Sequence, residues 1–462
     1  MSPVSPGETV DPVGFPGNSM DSARRNRPRG RKTSVSKTAA VNYIVLYARA
    51  SLRSASSPAG TERTVMSKEK LIEIVRDNIA HCKAGTIAQA PGVYKVPASA
   101  YTDEARFKKE VDLIFKRMPL MLAPSVELPN PGDYKAMAPF GTPLLITRGK
   151  DGKARTFFNS CGHRGAPLRD CGTGNSSRFV CPYHGWTYNN EGKLVGVAAS
   201  SEFGEFDRGE YTLPELPTIE RAGLIWAVLD PHSTIDIEGF LSGYDDMLSH
   251  FNFKDWYLFD SRTLRGPNWK IAYDGYLDFY HLPVLHKNTI GGERSPQANY
   301  YAWGPHQRVT SPDRYIHLDK LPEDQWPMED VMTGVWTIFP HISIASFKGG
   351  GRGAMISQLF PGETVGESYT TQYYMMEKEP DQAGKDGARL QFDLLENVVR
   401  DEDYKTGLQV QGALSAGART HSLFGRNEWG GQRFHGWVQR LLETPDDQLN
   451  ALFSAPERQA AE

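Results

Sequence analysis

Three of the chain's four cysteines and two of its twelve histidines lie in one stretch, Cys161 to Tyr188, that is rich in glycine and proline. Within it, Cys161-x-His163 is followed by Cys181-x2-His184, so each half presents one thiol and one imidazole. Such a group could form a disulfide, bind zinc or hold a redox centre. Four cysteines in 462 residues do not make a disulfide-stabilised secreted fold. Their crowding instead indicates metal ligation in a reducing compartment.

The order of the four ligands separates zinc from an iron–sulfur cluster. Zinc fingers usually group Cys with Cys and His with His. An alternating Cys–His order is what a Rieske [2Fe–2S] centre requires, because one iron takes both cysteines and the other takes both histidines. We therefore predict a Rieske cluster on Cys161, His163, Cys181 and His184, with a zinc knuckle or a chance grouping as the alternative. Cys171 has no partner in this pattern and is expected to lie outside the ligand set.

The run CGHRGAPL…CPYHGWTY…GKL resembles the Rieske motif of the α subunits of aromatic-ring-hydroxylating oxygenases. The resemblance extends over roughly 70–462, and after this motif it is strongest over 268–286. One departure is Gly162, where that family very often has Arg. The resemblance implies an α+β fold, in which a small all-β Rieske domain precedes a larger catalytic domain with an antiparallel sheet flanked by helices (helix-grip type).

A second group of metal-ligating residue types lies in NWKIAYDGYLDFYHLPVLH, which contains Asp278-x2-His281-x4-His286. Helical spacing would place Asp278 and His281 one turn apart. Pro283 is expected to break or kink the helix near His281, which would bring His286 back towards the same point. Two neutral imidazoles and one carboxylate leave coordination positions open, as in the non-haem Fe(II) oxygenases. The alternative is an aromatic helix that carries two ordinary histidines.

The family resemblance implies a different role for Asp278. In similar proteins this aspartate is not a ligand but joins the iron-binding histidine to a Rieske histidine of a neighbouring subunit by hydrogen bonds. Asp278 would then link His281 to His184 of another copy of the chain. The resemblance also implies a head-to-tail ring, and we predict a homotrimer, with or without a small β subunit.

The resemblance also implies that the third iron ligand lies on a C-terminal helix. In similar proteins it belongs to an acidic pair, and a Gln follows it eight residues later. In VVRDEDYKTGLQVQGAL, Gln411 lies at that distance from Asp403. We therefore predict that His281, His286 and Asp403 bind Fe²⁺, with Asp401 as the alternative carboxylate. An acidic cluster of this kind is otherwise an ordinary surface feature.

These residues together predict the terminal component of an oxygenase. Electrons from NAD(P)H would arrive through a ferredoxin and/or a flavin reductase, and oxygen from O2 would be inserted into an aromatic or other apolar substrate by ring dihydroxylation or hydroxylation. An O- or N-demethylating monooxygenase is the alternative. A protein of another class, a Rieske electron carrier without a working iron site, also fits the first motif.

Charge and hydropathy exclude two kinds of partner. The net charge is −3, but residues 1–65 carry ten Lys/Arg against four Asp/Glu, which leaves the rest of the chain acidic with 42 against 51. An acidic body argues against binding nucleic acid, because phosphate recognition needs a basic face. No window approaches the roughly 18 apolar residues of a membrane span. We expect a cytoplasmic protein.

Changes of composition along the chain predict four parts. Residues 1–65 are basic and rich in Ser and Pro, and form either a disordered tail or an over-called start, with a transit-like peptide as the alternative. We expect Ser67 and Thr102 to cap the first two helices. The predicted parts after the tail are 66–119 (N-terminal helices, over Lys68–Cys82 and Asp103–Arg117, packing on the catalytic domain), 120–235 (the Rieske domain) and 236–462 (the catalytic domain).

Overall fold

The computed structural model describes residues 58–292, 294–453 and 458–460, and of residues 58–63 and 458–460 it describes the backbone alone. Helical turns of π type occur at Val111–Phe115 and Val398–Tyr404. The α-helices of the described residues are α1 (Pro58–Ala84), α2 (Ser99–Thr102), α3 (Glu104–Glu110), α4 (Ser200–Phe203), α5 (Ile237–Leu241), α6 (Tyr244–Leu248), α7 (Trp269–Asp274), α8 (Leu282–Leu285), α9 (Met328–Val331), α10 (Gln382–Asn397), α11 (Lys405–Ser415), α12 (Trp429–Glu443) and α13 (Leu449–Phe453).

The strands are short in the first half of the chain and longer in the second. They are β1 (Tyr94–Pro97), β2 (Leu120–Pro124), β3 (Asp133–Met137), β4 (Leu144–Arg148), β5 (Ala154–Phe158), β6 (Gly172–Asn175), β7 (Arg178–Val180), β8 (Thr187–Asn189), β9 (Leu194–Gly196), β10 (Glu215–Leu216), β11 (Thr218–Arg221), β12 (Leu224–Ala227), β13 (Tyr257–Gly266), β14 (Asn299–Trp303), β15 (His306–Thr310), β16 (Val335–Ile338), β17 (Ile342–Phe347), β18 (Gly353–Pro361), β19 (Ser368–Met376), β20 (His421–Phe424) and β21 (Arg458–Ala460).

Strands β2 to β12 form a small all-β region of three sheets. Their strand orders are β10-β5-β4-β3-β6, β11-β12-β2 and β7-β8-β9. Strands β4 and β5 form a hairpin around the turn sequence RGKDGK, in which Leu145 lies opposite Phe157. Both residues belong to a compact apolar core that also contains Cys161, Cys181 and Trp186. The side chains of the two cysteines are therefore buried in the core of this region.

The second half of the chain is built on one large antiparallel sheet. Its order within the described residues is β13-β19-β18-β17-β16-β15-β14-β21. A nearly continuous helix, from α10 through the π turns to α11, packs on one face of this sheet. The Arg262 guanidinium of β13 donates to Gln372 of β19 and to the carbonyl oxygen of Phe392 in α10. Helices segregated on an antiparallel sheet confirm the predicted α+β class.

The N-terminal helices pack on the catalytic sheet and on α7. Asn78 of α1 donates to the Tyr301 hydroxyl of β14 at 3.0 Å. Glu110 of α3 forms an ion pair with Lys270 of α7, and both side chains are fully buried. Because an unpaired charge in such a position is strongly destabilising, this ion pair fixes α3 on α7.

Both predicted N-caps are wrong. Helix α1 begins at Pro58, so Ser67 lies inside it and donates its hydroxyl proton to the carbonyl oxygen of Thr64. Thr102 ends the short helix α2, and the cap of α3 is Asp103, whose carboxylate accepts from the Arg106 N–H. An acceptor one residue later satisfies the free N–H groups of the first turn equally well.

Most of the predicted basic tail, residues 1–57, lies outside the described residues. Residues 58–65 were assigned to that tail, but they belong to α1. The boundaries near 120 and 235 stay a prediction. Among the described residues, no helix combines the length and the apolar character required to cross a membrane.

Candidate functional site

Two matching tight loops carry the four predicted cluster ligands. The Cys161–His163 loop follows β5, and the Cys181–His184 loop joins β7 to β8. In each loop the glycine four residues after the cysteine, Gly165 or Gly185, donates its N–H to that cysteine's carbonyl oxygen. Both glycines have positive φ, 81° and 69°, a conformation that glycine adopts without strain. The repeated Cys-x3-Gly spacing therefore builds two equivalent turns.

The structure brings all four predicted ligands together. The rings of His163 and His184 lie with centroids 4.6 Å apart. The Nδ1 atom of each ring is buried, and neither has a hydrogen-bond partner among the described residues. Cys161 and Cys181 are free and buried, and burial raises the pKa of Cys161, with a further increase from nearby Cys181.

Two orphaned imidazole nitrogens beside two buried thiols are the donor set that a [2Fe–2S] cluster of the Rieske type needs. Cys171 is exposed and Cys82 is half-buried in α1, and both are free thiols.

Aromatic and hydroxyl groups surround the cysteine and histidine loops. His163 stacks on Trp186, with ring centroids 5.0 Å apart. The Tyr188 hydroxyl accepts the Gly162 N–H at 2.9 Å and lies 3.5 Å from Cys161 Sγ. A Cβ atom added to Gly162 would lie 3.0 Å from the Tyr211 carbonyl oxygen, so the space at this position favours glycine over the Arg that is common in the family.

The second candidate site begins where α7 ends. We predicted a helix that continues to His281, but α7 ends at Asp274, and Asp278 lies in the irregular turn that follows. Asp278 Oδ1 accepts from the His281 backbone N–H at 3.1 Å and lies 2.9 Å from His281 Nδ1. Asp278 and His281 meet through this turn and not across a helix face.

Pro283 does not break a helix, which corrects the prediction. It lies in the first turn of α8, directly after His281. Proline is tolerated there because the N–H groups of the first turn have no partner within the helix. The single turn of α8 carries the chain from His281 to His286, whose N–H donates to the Leu282 carbonyl oxygen. The two imidazoles consequently lie close together, edge to face, with ring centroids 5.1 Å apart.

Asp403 completes a group of three potential metal ligands. One donor atom each from His281, His286 and Asp403 lie within 4.8 Å of one another. Asp403 Oδ1 is 3.1 Å from His286 Nε2 and 3.8 Å from His281 Nε2. Asp401 is exposed and ion-paired with Arg400, so the geometry favours Asp403 over the alternative carboxylate.

The π turns at Val398–Tyr404 place Asp403 at this group. Tyr404 follows it and is anchored on the sheet, since its hydroxyl lies 2.5 Å from Thr370 Oγ1 of β19. Gln411, which served to locate Asp403, is buried in α11 and donates to the Tyr101 carbonyl oxygen. Gln411 therefore fixes the helix and does not reach the ligand group.

Each histidine has a carboxylate at the ring nitrogen that faces away from Asp403. Asp278 contacts Nδ1 of His281, and Glu402 Oε2 lies 2.6 Å from Nδ1 of His286. Burial opposes protonation of His281, but the hydrogen bond and charge of Asp278 raise its pKa overall. Burial likewise opposes protonation of His286, yet Asp403 and Glu402 raise its pKa.

Glu402 was not assigned a role from the sequence. Its position beside the predicted ligand was the only available signal. The two Nε2 atoms and Asp403 fit a divalent metal ion that prefers imidazole and carboxylate, and they leave coordination positions open.

The all-β region carries two cysteines and two histidines in alternating order. The sheet-and-helix region carries a group of two histidines and one carboxylate. These two groups together define the class of Rieske-type non-haem iron proteins. Family models match both parts. Residues 118–217 match the Rieske [2Fe–2S] domain, and residues 253–444 match the ring hydroxylating alpha subunit, catalytic domain. The chain thus carries a Rieske [2Fe–2S] domain followed by a catalytic domain of the ring hydroxylating alpha-subunit type, and the latter implies a mononuclear iron.

The curated relatives include two kinds of oxygenase. The large subunit of anthranilate 1,2-dioxygenase from Acinetobacter baylyi is 30% identical over 43% of this chain and 44% of its own length. The oxygenase subunit of carnitine monooxygenase from Acinetobacter baumannii is 32% identical over 46% of this chain and 57% of its own length. The matched segment thus spans about half the length of these relatives.

Solved structures share the fold. A quaternary ammonium Rieske monooxygenase superposes with a TM-score of 0.63 at 24% identity, over 76% of this chain and 96% of the other. Naphthalene 1,2-dioxygenase from Rhodococcus sp. also gives a TM-score of 0.63, at 20% identity over 81% of this chain and 99% of the other.

Proposed function

We propose that the protein is the terminal component of a Rieske oxygenase. In this proposal Cys161, His163, Cys181 and His184 hold the [2Fe–2S] cluster, and His281, His286 and Asp403 hold Fe²⁺. The observation that carries it is the arrangement around the two histidines. Both Nε2 atoms converge on Asp403, while both Nδ1 atoms are occupied by other carboxylates.

When bound, the cluster supplies single electrons and the mononuclear iron supplies the activation of O2. The chain's own residues prepare the metal site. The carboxylates of Asp278 and Glu402 hold the ring protons on Nδ1, which leaves each Nε2 lone pair free. Asp403 contributes one negative charge, so that two neutral ligands and one anion face the metal position.

Asp278 is proposed to be the bridge between the two centres of neighbouring copies. It holds His281 Nδ1 at 2.9 Å and is itself only partly buried, so it can also meet a second partner. That partner would be His184 of a neighbouring copy in a head-to-tail ring, which we take to be a trimer.

The exposed side chains next to both centres support such a ring. Tyr183 and Phe203 flank the Rieske histidines and are 59% and 47% exposed. Tyr280 and Val284 flank His281 and are 58% and 73% exposed. Large apolar side chains clustered at an exposed site favour a protein interface, and a ring would bury these two surfaces against each other.

The proposed substrates fall into two groups. Oxygen insertion into an aromatic or other apolar ring is the first proposal, supported by the anthranilate and chlorobenzene dioxygenases among the relatives. Oxygenation of a quaternary amine is the second, supported by the carnitine and glycine betaine monooxygenases. Oxygen consumption and product analysis with benzoate-type acids, carnitine and glycine betaine would separate the two groups.

The proposed partners supply electrons. A ferredoxin and/or a flavin reductase would carry them from NAD(P)H to the exposed edge of the Rieske region, and a small β subunit could be added to the ring. We place the protein in the cytoplasm on the basis of its few, unpaired cysteines.

The competing function is a Rieske electron carrier without mononuclear iron. Iron analysis of the purified protein, combined with electron paramagnetic resonance (EPR) after addition of nitric oxide, tests the proposal against this alternative. An oxygenase shows the reduced-cluster signal and a separate iron that responds to nitric oxide. A carrier shows only the cluster.

A further inference from the structure

Glu402 makes contacts that a surface carboxylate in an acidic cluster would not make. Its Oε2 atom lies 2.6 Å from His286 Nδ1 and accepts the Thr289 hydroxyl at 2.8 Å. The neighbouring Asp401 points the other way and is ion-paired with Arg400. Within one run of three acidic residues, Glu402 and Asp403 therefore face His286, while Asp401 faces solvent.

Glu402 and Asp403 hold the two nitrogens of the same ring. Asp403 Oδ1 is 3.1 Å from Nε2, and Glu402 Oε2 is 2.6 Å from Nδ1. An imidazole with a carboxylate at one nitrogen keeps its proton there and presents the lone pair of the other nitrogen. The ring of His286 is also almost fully buried, so the contact with Glu402 is screened little by solvent.

The π turns explain why two consecutive residues reach one histidine. The N–H of Lys405 donates to the carbonyl oxygen of Arg400, five residues earlier, so the turn is wider than in an α-helix. Wide turns of this kind often occur at functional sites, since they redirect side chains that an α-helix would spread around its axis.

Thr289 connects Glu402 to the turn that follows His286. The Thr289 N–H donates to the His286 carbonyl oxygen at 3.0 Å, and its hydroxyl donates to Glu402. Glu402 thus fixes both the ring of His286 and the backbone directly after it. Asp278, within the described residues, makes the corresponding contacts with the ring nitrogen and the backbone N–H of His281.

We propose that Glu402 is a positioning residue for the mononuclear iron site, a charged acceptor that sets the tautomer and orientation of His286. This inference rests on the proposed function, because it requires His286 to bind iron. Carboxylates that hold a metal-binding imidazole in this way typically change metal affinity by about 10–100-fold when they are removed.

The test compares Glu402→Ala and Glu402→Gln with wild type and with Asp401→Asn, a change of charge one residue away on the exposed side. Iron affinity is measured by competition with a chelator, and the mononuclear site is observed as the EPR signal of its nitric oxide adduct. The Rieske EPR signal of the same samples reports that the protein is folded. Thr289→Val removes the hydroxyl that fixes the carboxylate.

We expect Glu402→Ala to weaken iron binding by about 10–100-fold with an intact Rieske signal. Glu402→Gln keeps an acceptor oxygen but not the charge, and is expected to lose less affinity and to change the line shape of the nitric oxide signal. Thr289→Val is expected to change the signal in the same direction. Asp401→Asn is expected to match wild type.

The inference would be overturned if Glu402→Gln matched Asp401→Asn in both its iron affinity and its nitric oxide signal. This outcome does not depend on whether the alanine variant folds. A wild-type protein that binds no mononuclear iron would instead overturn the proposed function, so the two failures are distinguishable.

Discussion

Asp278 holds His281 at two points, because its Oδ1 atom contacts the ring Nδ1 at 2.9 Å and the backbone N–H at 3.1 Å. A single carboxylate oxygen therefore fixes both the ring and the turn that carries it. The same side chain remains partly exposed, which allows contact with a neighbouring copy.

Replacing Asp278 by Asn is predicted to separate iron binding from electron transfer. Asn retains an oxygen that accepts from the His281 N–H and ring, so iron should remain bound. Without the negative charge, we expect turnover to fall by at least about 100-fold, in the range seen when a hydrogen-bonded group essential for catalysis is lost. Single-turnover kinetics with a chemically reduced cluster would measure the rate of electron transfer from the cluster to the mononuclear iron.

The proposed bridging role of Asp278 would be contradicted if the reduced cluster of Asp278→Asn were oxidised, in the presence of substrate and O2, as fast as that of wild type. Iron content and the Rieske EPR signal of the same samples serve as controls, since both are expected to stay unchanged.

Two cysteine variants, one inside and one outside the proposed ligand set, test which residues hold the cluster. Cys161→Ser removes a buried proposed ligand and is expected to abolish the visible absorbance and the Rieske EPR signal. Cys171→Ser changes an exposed thiol outside the group and is expected to leave both unchanged. Loss of the signal in Cys171→Ser with retention in Cys161→Ser would show that the ligand set is wrong.

Acid is predicted to destabilise the protein through His306. Burial lowers the pKa of His306 to about 4, while the unfolded side chain titrates near 6.5. As pH falls below the unfolded value, the unfolded state binds the proton first, so stability decreases until the pH reaches the folded value. Between pH 7 and pH 5 this one group should remove about 2 kcal/mol of stability.

Urea denaturation at the two pH values measures the effect of His306. We expect a smaller decrease in His306→Gln, and an unchanged decrease in His232→Gln, because His232 is exposed. An equal decrease in wild type and in His306→Gln would contradict the assignment. His341, buried with its pKa lowered to about 3, is expected to add to the same loss.

The two apolar surfaces are predicted to form one interface. Tyr183→Ser and Val284→Ser each remove an exposed side chain next to one of the two centres. We expect each change to weaken the ring in sedimentation velocity and to lower activity, with cluster and iron both retained. Leu390→Ser alters an equally exposed residue of α10 and should leave the assembly intact. A monomeric wild-type protein would contradict the ring.

Local spacing was enough to single out the proposed cluster ligands and the two proposed iron-site histidines, which the structure brings together in two groups. Cys161 and Cys181 each form a turn with a glycine four residues later, and such a turn depends on few long-range contacts. The third carboxylate was predicted through the family resemblance, which implies a Gln eight residues after the ligand, and Gln411 therefore pointed to Asp403. The hairpin of β4 and β5 was also predictable, because its turn residues and apolar alternation are local.

Other features depend on tertiary contacts, which cannot be predicted from the spacing of residues in the sequence. Glu402 reaches His286 from within a π turn, and a period of 3.6 residues does not predict that turn. The end of α7 before Asp278 was missed because an apolar, aromatic run continues through it. Thr102 and Asp103 are both good N-caps, and only the tertiary structure selects between them.

The most direct test of the whole account is the metal content of the purified protein, determined together with its EPR spectra. We expect about three irons per chain, two in a cluster with a Rieske signal and one that responds to nitric oxide. We also expect His281→Ala and Asp403→Ala to lose only the third iron. Two irons per chain and no nitric oxide response, or zinc in place of iron, would contradict it.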